Sequence, residues 1–181
     1  MRKVLTAVLL LGLLVPPAAS QVPDDKLVTP GVGIGRWTLQ MTLAELATMN
    51  GVPGSSGRDG SLDTNRPESS WVRWRDVHAL VARVRPDAQV DVLESRSVDY
   101  ETAKGIGAGV PRDVVELAYG KPTAVTLSDV PPTFSGWSST VRLIYDQMGL
   151  YFEIGQTRAG KTLTFSVGVF RPGTARQLWK F

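Results

Sequence analysis

The feature that most constrains the fold is a 17-residue pattern that occurs twice, 69 residues apart in the chain. The first copy is "WTLQMTLAELATMNGVP" at 37–53, and the second is "IGAGVPRDVVELAYGKP" at 106–122. Both copies end in Gly-x-Pro. Glycine suits the residue after the last turn of a helix, and a following proline prevents the helix from resuming. Each copy therefore predicts one short helix of about two turns.

The sequence also marks where these helices begin and end. In the first copy, Thr42 and Glu45 form a Thr-x-x-Glu capping box, in which each side chain accepts a hydrogen bond from the other residue's backbone N–H. In the second copy, Pro111 supplies the start, because its fixed φ and missing N–H suit a first helical position. The predicted ends are left-handed Gly51 and Gly120, with Pro53 and Pro122 two residues later.

Strand-like segments follow each helix after a long polar stretch, at 54–70 in the first half and 123–140 in the second. The segments are rich in β-branched and aromatic residues, and the turns between them are short enough for hairpins. They lie at 71–74, 79–84 and 90–95, and again at 140–145, 150–154 and 163–170. Each half therefore predicts an antiparallel meander, and the two polar stretches are predicted to be long loops.

The segment "LYFEI" predicts which sheet face is buried. Leu150, Phe152 and Ile154 alternate with Tyr151 and Glu153. Successive side chains of a strand point to opposite faces. We therefore expect the first three residues to pack under the helix and the other two to meet solvent.

The predicted fold class is α+β, with two repeats in tandem at 21–97 and 98–181. Each repeat is a short helix packed on a three- to four-stranded antiparallel sheet. The two sheets are expected to form one continuous curved sheet. A chain of this length buries a sufficient core for one domain or two small repeats.

Two glycine runs, "GVGIG" at 31–35 and "GIGAG" at 105–109, raise a choice between a phosphate-binding loop and a structural element. A dinucleotide-binding fingerprint needs Gly-x-Gly-x-x-Gly between a strand and a helix, and a P-loop ends in Gly-Lys-Ser/Thr. The chain has neither motif. The runs instead predict places where the backbone takes an unusual φ or closely approaches another segment.

Residues 1–20, "MRKVLTAVLLLGLLVPPAAS", have the pattern of a secretory signal with a cut after Ser20. The apolar run from Val4 to Val15 has 12 residues. A membrane-spanning helix needs about 20. We therefore expect cleavage, export to the periplasm or out of the cell, and no membrane span in the processed chain.

Charge and composition exclude several classes of site. Without residues 1–20 the chain has 18 basic against 17 acidic residues, so it lacks the positive excess typical of nucleic-acid binding. It has no cysteine and a single histidine, His78. Disulfides and thiolates are therefore excluded, and too few ligands remain for a transition-metal site. No metal and no cofactor are expected.

The stretch "GIG…LQMTLAELATMNGVP", and again "GIGAGVPRDVVELAYGKP" followed by "GLYFEI" and "FSVGVF", resembles the superfamily of the β-lactamase inhibitor protein and of the small lipoprotein of the outer-membrane β-barrel assembly machinery. The resemblance covers about 31–170. It implies short helices on antiparallel sheets and, by similarity to the inhibitor, two such units in tandem. The chain departs from the pattern because it has neither the lipidated cysteine nor the disulfides.

The inhibitor members of that superfamily present a concave sheet face and loops to a protein partner, and the resemblance implies that this surface lies here on strand-borne aromatics and the two long loops. The candidate contact residues are Arg73, Trp74, Phe134, Trp137 and Tyr151. Aromatic side chains exposed as a group suit a binding hot spot. The alternative is that the loop aromatics fold back as a lid over the core.

These observations favour an exported, non-enzymatic binding module that acts on a protein partner in the cell envelope or outside the cell. The alternative is a small-ligand-binding or hydrolytic protein that uses the cleft between the repeats, with His78 and Asp76 contributing. No nucleophile signature accompanies His78, so the sequence predicts no catalytic residue.

Overall fold

The computed structural model describes residues 23–51, 55–58, 70–82, 85–127 and 137–179, and for 55–58 and 137–139 it describes the backbone alone. The predicted signal sequence, Pro53 and Phe134 lie outside the described residues. Within the described ranges, no helix is both long enough and apolar enough to cross a membrane.

The described residues form two sheets. The small sheet contains β1 (Leu27–Thr29), β2 (Gly33–Ile34), β3 (Trp37–Thr38) and β8 (Glu101–Thr102). The large sheet contains β4 (Ser55–Arg58), β5 (Ser70–Arg73), β6 (Val77–Val81), β7 (Val90–Ser95), β9 (Ala124–Leu127), β10 (Trp137–Tyr145), β11 (Leu150–Thr157) and β12 (Thr162–Phe170). The helices are α1 (Leu43–Asn50), α2 (Arg112–Tyr119) and α3 (Ala175–Leu178). The predicted α+β class is confirmed.

Antiparallel pairing connects all neighbours in the large sheet, in the order β4-β5-β6-β7-β12-β11-β10-β9. The strands that follow α1 occupy one side of the sheet, and those that follow α2 occupy the other. They meet where β7 pairs with β12, with Val169 opposite Leu93. The strand that ends each group along the chain therefore lies at the centre of the sheet.

The predicted capping box of α1 is confirmed. Thr42 Oγ1 accepts from the backbone N–H of Glu45 at 3.3 Å, and Glu45 Oε2 accepts from that of Thr42 at 2.7 Å. The helix α2 begins after Pro111, which has no side-chain cap. Each helix has eight residues, which matches the predicted two turns.

The glycines that end the two helices have positive φ, as expected, but not the left-handed helical conformation. Gly51 has φ 76° and ψ −165°, and Gly120 has φ 77° and ψ −163°. This combination of positive φ and extended ψ is open essentially to glycine alone. The chain therefore leaves both helices extended, and after α2 it passes through Pro122 into β9.

The glycine runs serve close backbone approach in the small sheet. A Cβ at Gly33 would lie 2.1 Å from the carbonyl oxygen of Trp37, and one at Gly107 would lie 2.3 Å from that of Tyr100. Each central glycine thus lets two backbone segments come closer than any side chain permits, in agreement with the predicted structural role.

One face of the large sheet, called here the helix face, packs against α1, α2 and the small sheet. Its core combines Leu46 of α1 and Val115 of α2 with Leu93, Phe152 and other apolar residues of the large sheet. The predicted burial of "LYFEI" is confirmed for Leu150, Phe152 and Ile154, which are at most 1% exposed.

The opposite face, called here the second face, is also covered, and the prediction for it was wrong. Tyr151 and Glu153 were expected to meet solvent but are 0% and 1% exposed. The reason is α3, which begins five residues after β12 and places Leu178 and Trp179 in a core with Tyr151 and Phe170. Alternation along a strand assigns residues to faces, but it does not reveal what covers each face.

The polar stretches predicted as loops, 54–70 and 123–140, contain the two edge strands of the large sheet. β4 occupies Ser55–Arg58 and β9 occupies Ala124–Leu127. Each is only four residues long. Short edge strands carry a weak sequence pattern, because one neighbouring strand and one packed face suffice to hold them.

Candidate functional site

The second face carries buried charged groups around Glu94, which is 2% exposed. Tyr151 Oη donates to Glu94 Oε2 at 2.8 Å, and Arg96 Nε donates to Oε1 at 2.9 Å. His78 Nδ1 lies 3.7 Å from the same Oε1. Burial opposes ionisation of the carboxyl, yet the nearby His78 imidazole and the charge of Arg96 lower the pKa of Glu94 to about 2. Glu94 is therefore an anion at neutral pH.

A second buried pair lies on the same face. Arg142 and Glu153 have side chains 2% and 1% exposed, and Arg142 Nε donates to Glu153 Oε1 at 2.9 Å. The Arg142 guanidinium carbon is 4.8 Å from the centre of the Trp179 ring and 5.3 Å from that of Tyr151. The cation therefore sits against two aromatic rings, an attractive arrangement in a dry environment. Both charges of this second pair are closed from solvent.

Tyr151 crosses the sheet to reach Glu94 because Gly168 leaves room for its ring. A Cβ at Gly168 would lie 2.2 Å from both Cε1 and Cζ of Tyr151. Burial and the nearby Glu94 charge raise the pKa of the Tyr151 hydroxyl well above its ordinary value. The hydroxyl therefore stays protonated and serves as a donor to the carboxylate. This arrangement stabilises the fold and presents no reactive group to solvent.

The edge strand β9 has the opposite character, since its apolar side chains are exposed. Val125 is 50% exposed and Leu127 is 82% exposed. They lie opposite Leu143 and Val141 of β10, so they project on the helix face. Within the described residues β9 pairs with β10 alone, and its outer row of backbone groups has no strand beside it.

The contact residues predicted from the sequence differ in burial, and two of them lie inside the protein. Trp74 is 9% exposed, and its Nε1 donates to the carbonyl oxygen of Gly51 at 3.2 Å. Tyr151 is fully buried. Both side chains pack internally, which withdraws them from the candidate contacts for a protein partner, although Trp74 also lines a groove. Arg73 is exposed on β5.

Of the other two predicted contact residues, Trp137 belongs to the hairpin of β9 and β10, and Phe134 lies outside the described residues. Trp137 begins β10 and pairs through its backbone with Thr157, while Phe134 precedes it in the connection from β9. Six strand spacings separate β5 from β9 in the sheet order, a distance of about 29 Å. Arg73 and the hairpin therefore do not form one compact site.

His78 and Asp76, the residues of the alternative hypothesis, face different surroundings. His78 lies on the second face, against Glu94 and at 6.4 Å from the Trp71 ring. Asp76 lies in the turn between β5 and β6, where it lines a groove. No contact joins the two side chains in the described part of the chain. The arrangement therefore gives no histidine–aspartate pair for catalysis.

The groove has a volume of about 760 Å³ and lies where five segments meet. These are the turn before β1, the β2–β3 turn, the end of α1, the β5–β6 turn and the β7–β8 connection. Three aromatic residues reach its floor, and charged residues of both signs stand around them. The aromatic residues are Trp37, Trp74 and Tyr100, and the charged residues are Asp25, Lys26, Arg36, Arg75 and Asp76.

Sequence reasoning missed the groove, the buried charge cluster and the exposed edge. The groove joins residues up to 75 positions apart, Asp25 and Tyr100 among them, and no local pattern signals such a meeting. The edge strand had a readable signal. In "AVTL", Val125 and Leu127 alternate with Ala124 and Thr126, a short period-2 pattern inside a segment that was interpreted as a loop.

Comparison with solved structures finds an uncharacterized protein, YfeY, from Escherichia coli, with 14% sequence identity and a TM-score of 0.52 over 81% of this chain and 99% of that chain. A cysteine-rich secretory protein from Staphylococcus aureus is 8% identical, with a TM-score of 0.41 over 82% of this chain and 49% of that chain. The likeness to YfeY shows a shared fold and nothing about activity. No family model and no curated protein matches the chain.

Proposed function

We propose that this protein is an exported, non-enzymatic binding module that acts on a protein partner in the cell envelope or outside the cell, through the hairpin of β9 and β10. One observation carries the proposal. The edge strand β9 presents Val125 and Leu127 to solvent, 50% and 82% exposed, beside a backbone edge that no other described strand pairs with.

The proposed mode of binding is strand addition. An extended partner segment would pair with the outer edge of β9 and cover the two apolar side chains. Backbone hydrogen bonds would supply affinity and the side chains specificity. Proteins ordinarily protect edge strands with charges, prolines or a covering element, because an open apolar edge recruits other chains. The four residues of β9 include no charge and no proline, which favours a binding role for this edge.

This proposal keeps only some of the contact residues that were predicted from the sequence. Trp137 begins β10, and it is retained as a hypothesis together with Phe134, which precedes it by three positions in the chain. Arg73 would be reached only by a partner that extends across the sheet.

The proposal also includes the repeat organisation of the chain and its export. We infer that 21–97 and 98–181 are tandem repeats joined in one continuous curved sheet. In support, each helix has eight residues, ends in a positive-φ glycine and precedes four strands of the large sheet. The similarity to the β-lactamase inhibitor protein superfamily and the signal-like residues 1–20 support the inhibitor-like or assembly-like role and the export.

Capture of partners from the envelope fraction tests the proposal. The protein is expressed from its full sequence so that the host processes residues 1–20. Wild type is compared with Leu127→Lys and with Val125→Lys. Each substitution places a charge on the proposed contact surface and changes no core residue. Folding should therefore persist, while capture of the partner falls at least tenfold.

The matched control is Val98→Lys. Val98 is 74% exposed and lies in the turn before β8, away from the hairpin. The proposal expects Val98→Lys to retain the partner as wild type does. Equal retention by all three variants, with folding verified by circular dichroism, would remove β9 from the binding surface.

A further inference from the structure

In the groove beside the β5–β6 turn, the polar atoms that hold the two indoles already have hydrogen-bond partners. Trp37 Nε1 donates to Asn50 Oδ1 at 3.0 Å, and Asn50 Nδ2 donates to the carbonyl oxygen of Leu46 at 2.8 Å. Trp74 Nε1 donates to the carbonyl oxygen of Gly51. The end of α1 thus fixes both indoles. A ligand would meet a floor that is organised before it binds, which lowers the entropic cost of binding.

The cations of the groove, in contrast, have weak partners. Arg75 and Arg36 form no ion pair within the described residues. Arg36 lies 5.6 Å from the centre of the Trp37 ring and donates to Met49 and Asn50 at 3.5 Å, the long limit of a hydrogen bond. Lys26 donates to Tyr100 Oη, also at 3.5 Å. Among the described residues, the three cations that face the groove thus have partners for only a small part of their hydrogen-bonding capacity.

The same groove carries acceptors. The carboxylates of Asp25 and Asp76 line it beside the cations. Ionised carboxylates accept hydrogen bonds and donate none, so they suit hydroxyl groups. Guanidinium groups suit carboxylate or phosphate, which they bind through two parallel hydrogen bonds. The aromatic floor suits the apolar face of a ring, and about 760 Å³ is within the usual range for small-molecule sites.

We propose that this groove binds an anionic saccharide, a sugar ring that carries a carboxylate or phosphate group. Arg36 and Arg75 contact the anionic group. Asp25 and Asp76 accept from ring hydroxyls, and the indoles of Trp37 and Trp74 contact the apolar face of the ring. The site lies on the half of the large sheet opposite the β9–β10 hairpin, so it is independent of the proposed protein-binding surface.

Titration calorimetry tests the site with four probes: glucuronate, glucose 6-phosphate, neutral glucose and inorganic phosphate. The chain is expressed in full and purified after processing by the host. We expect both anionic sugars to bind at micromolar to millimolar concentrations, and both glucose and phosphate to bind at least tenfold more weakly. In ¹⁵N NMR spectra the indole signals of Trp37 and Trp74 should shift, with Trp37→Phe and Trp74→Phe assigning them.

Substitution of single arginine residues tests which cations contact the anionic sugar. Arg36→Gln and Arg75→Gln should each weaken binding of the anionic sugars about tenfold or more, since each removes a charge-assisted hydrogen bond. The control is Arg158→Gln, at an exposed position in the β11–β12 turn, which should leave binding unchanged.

Three results would overturn the proposal: no heat and no indole shift with either anionic sugar at millimolar concentration, phosphate alone binding as tightly as glucose 6-phosphate, or equal weakening in the control. None of them bears on capture of the protein partner by β9.

Discussion

At the scale of single residues, buried charge decides how the second face is held together. Glu94 is ionised although it is 2% exposed, because His78, Arg96 and Tyr151 surround it with donors. A buried carboxylate with fewer partners would instead bind a proton. The cluster therefore links folding to pH, and the linkage has a definite sign.

We predict that stability supplied by Glu94 is lost in acid. Its folded-state pKa of about 2 is below the ordinary value of 4.5, so the contribution is fully present above pH 4.5 and disappears as the pH falls toward 2. Glu94→Gln should be less stable than wild type by roughly 3 kcal/mol at neutral pH. Denaturant unfolding at several pH values measures both proteins. Convergence of the two curves in acid is expected, whereas parallel curves would contradict the assignment.

Gly168 is predicted to be essential for the space it leaves and not for its φ. Gly168→Ala should destabilise the fold by about 1–3 kcal/mol, because the new methyl group overlaps the Tyr151 ring. In a Tyr151→Val background the same substitution should cost much less. Tyr151→Phe is the matched control, since it keeps the ring carbons and should give no relief. Equal costs in all three backgrounds, measured by a double-mutant cycle, would show that the ring is not the obstacle.

At the scale of elements, α1 depends on its capping box and α2 does not have one. Thr42→Ala removes the acceptor for the Glu45 N–H and should cost about 1 kcal/mol of unfolding free energy. Thr48→Ala is the control. Thr48 is also exposed on α1, and its hydroxyl donates to the carbonyl of Ala44 at 2.8 Å, so it contributes little to helix initiation. Chemical denaturation compares them, and a loss at Thr48 as large as at Thr42 would refute the capping role.

The elements that the sequence predicted well are those with strong local chemistry. The capping box, Pro111, and the two helix-ending glycines placed both helices, and "VDVLES" matches β7 at Val90–Ser95. The elements that it missed depend on partners distant in the chain. β9 is held by β10, and α3 has only four residues and is held by packing on Tyr151 and Phe170. The local propensity of a segment does not depend on residues distant in the chain, so it does not predict elements that such packing holds.

At the scale of the whole molecule, the large sheet is covered on both faces at its centre and open at its edges. The helices and the small sheet cover the helix face, and α3 covers part of the second face. β4 and β9 end the sheet, and β9 adds exposed Val125 and Leu127. Exposed apolar surface is thus present at the β9 edge, whereas Trp74 and Tyr151, two aromatic residues predicted from the sequence as contacts, belong to the cores on the two faces.

Hydrogen–deuterium exchange of the protein with and without its captured partner tests strand addition most directly. The account predicts that backbone amides of Ala124–Leu127 that face away from β10 exchange more slowly in the complex, because the partner strand accepts their hydrogen bonds. β4, the opposite edge strand, serves as the internal reference and should be unchanged. Unaltered exchange in β9, with the partner demonstrably bound, would contradict the account.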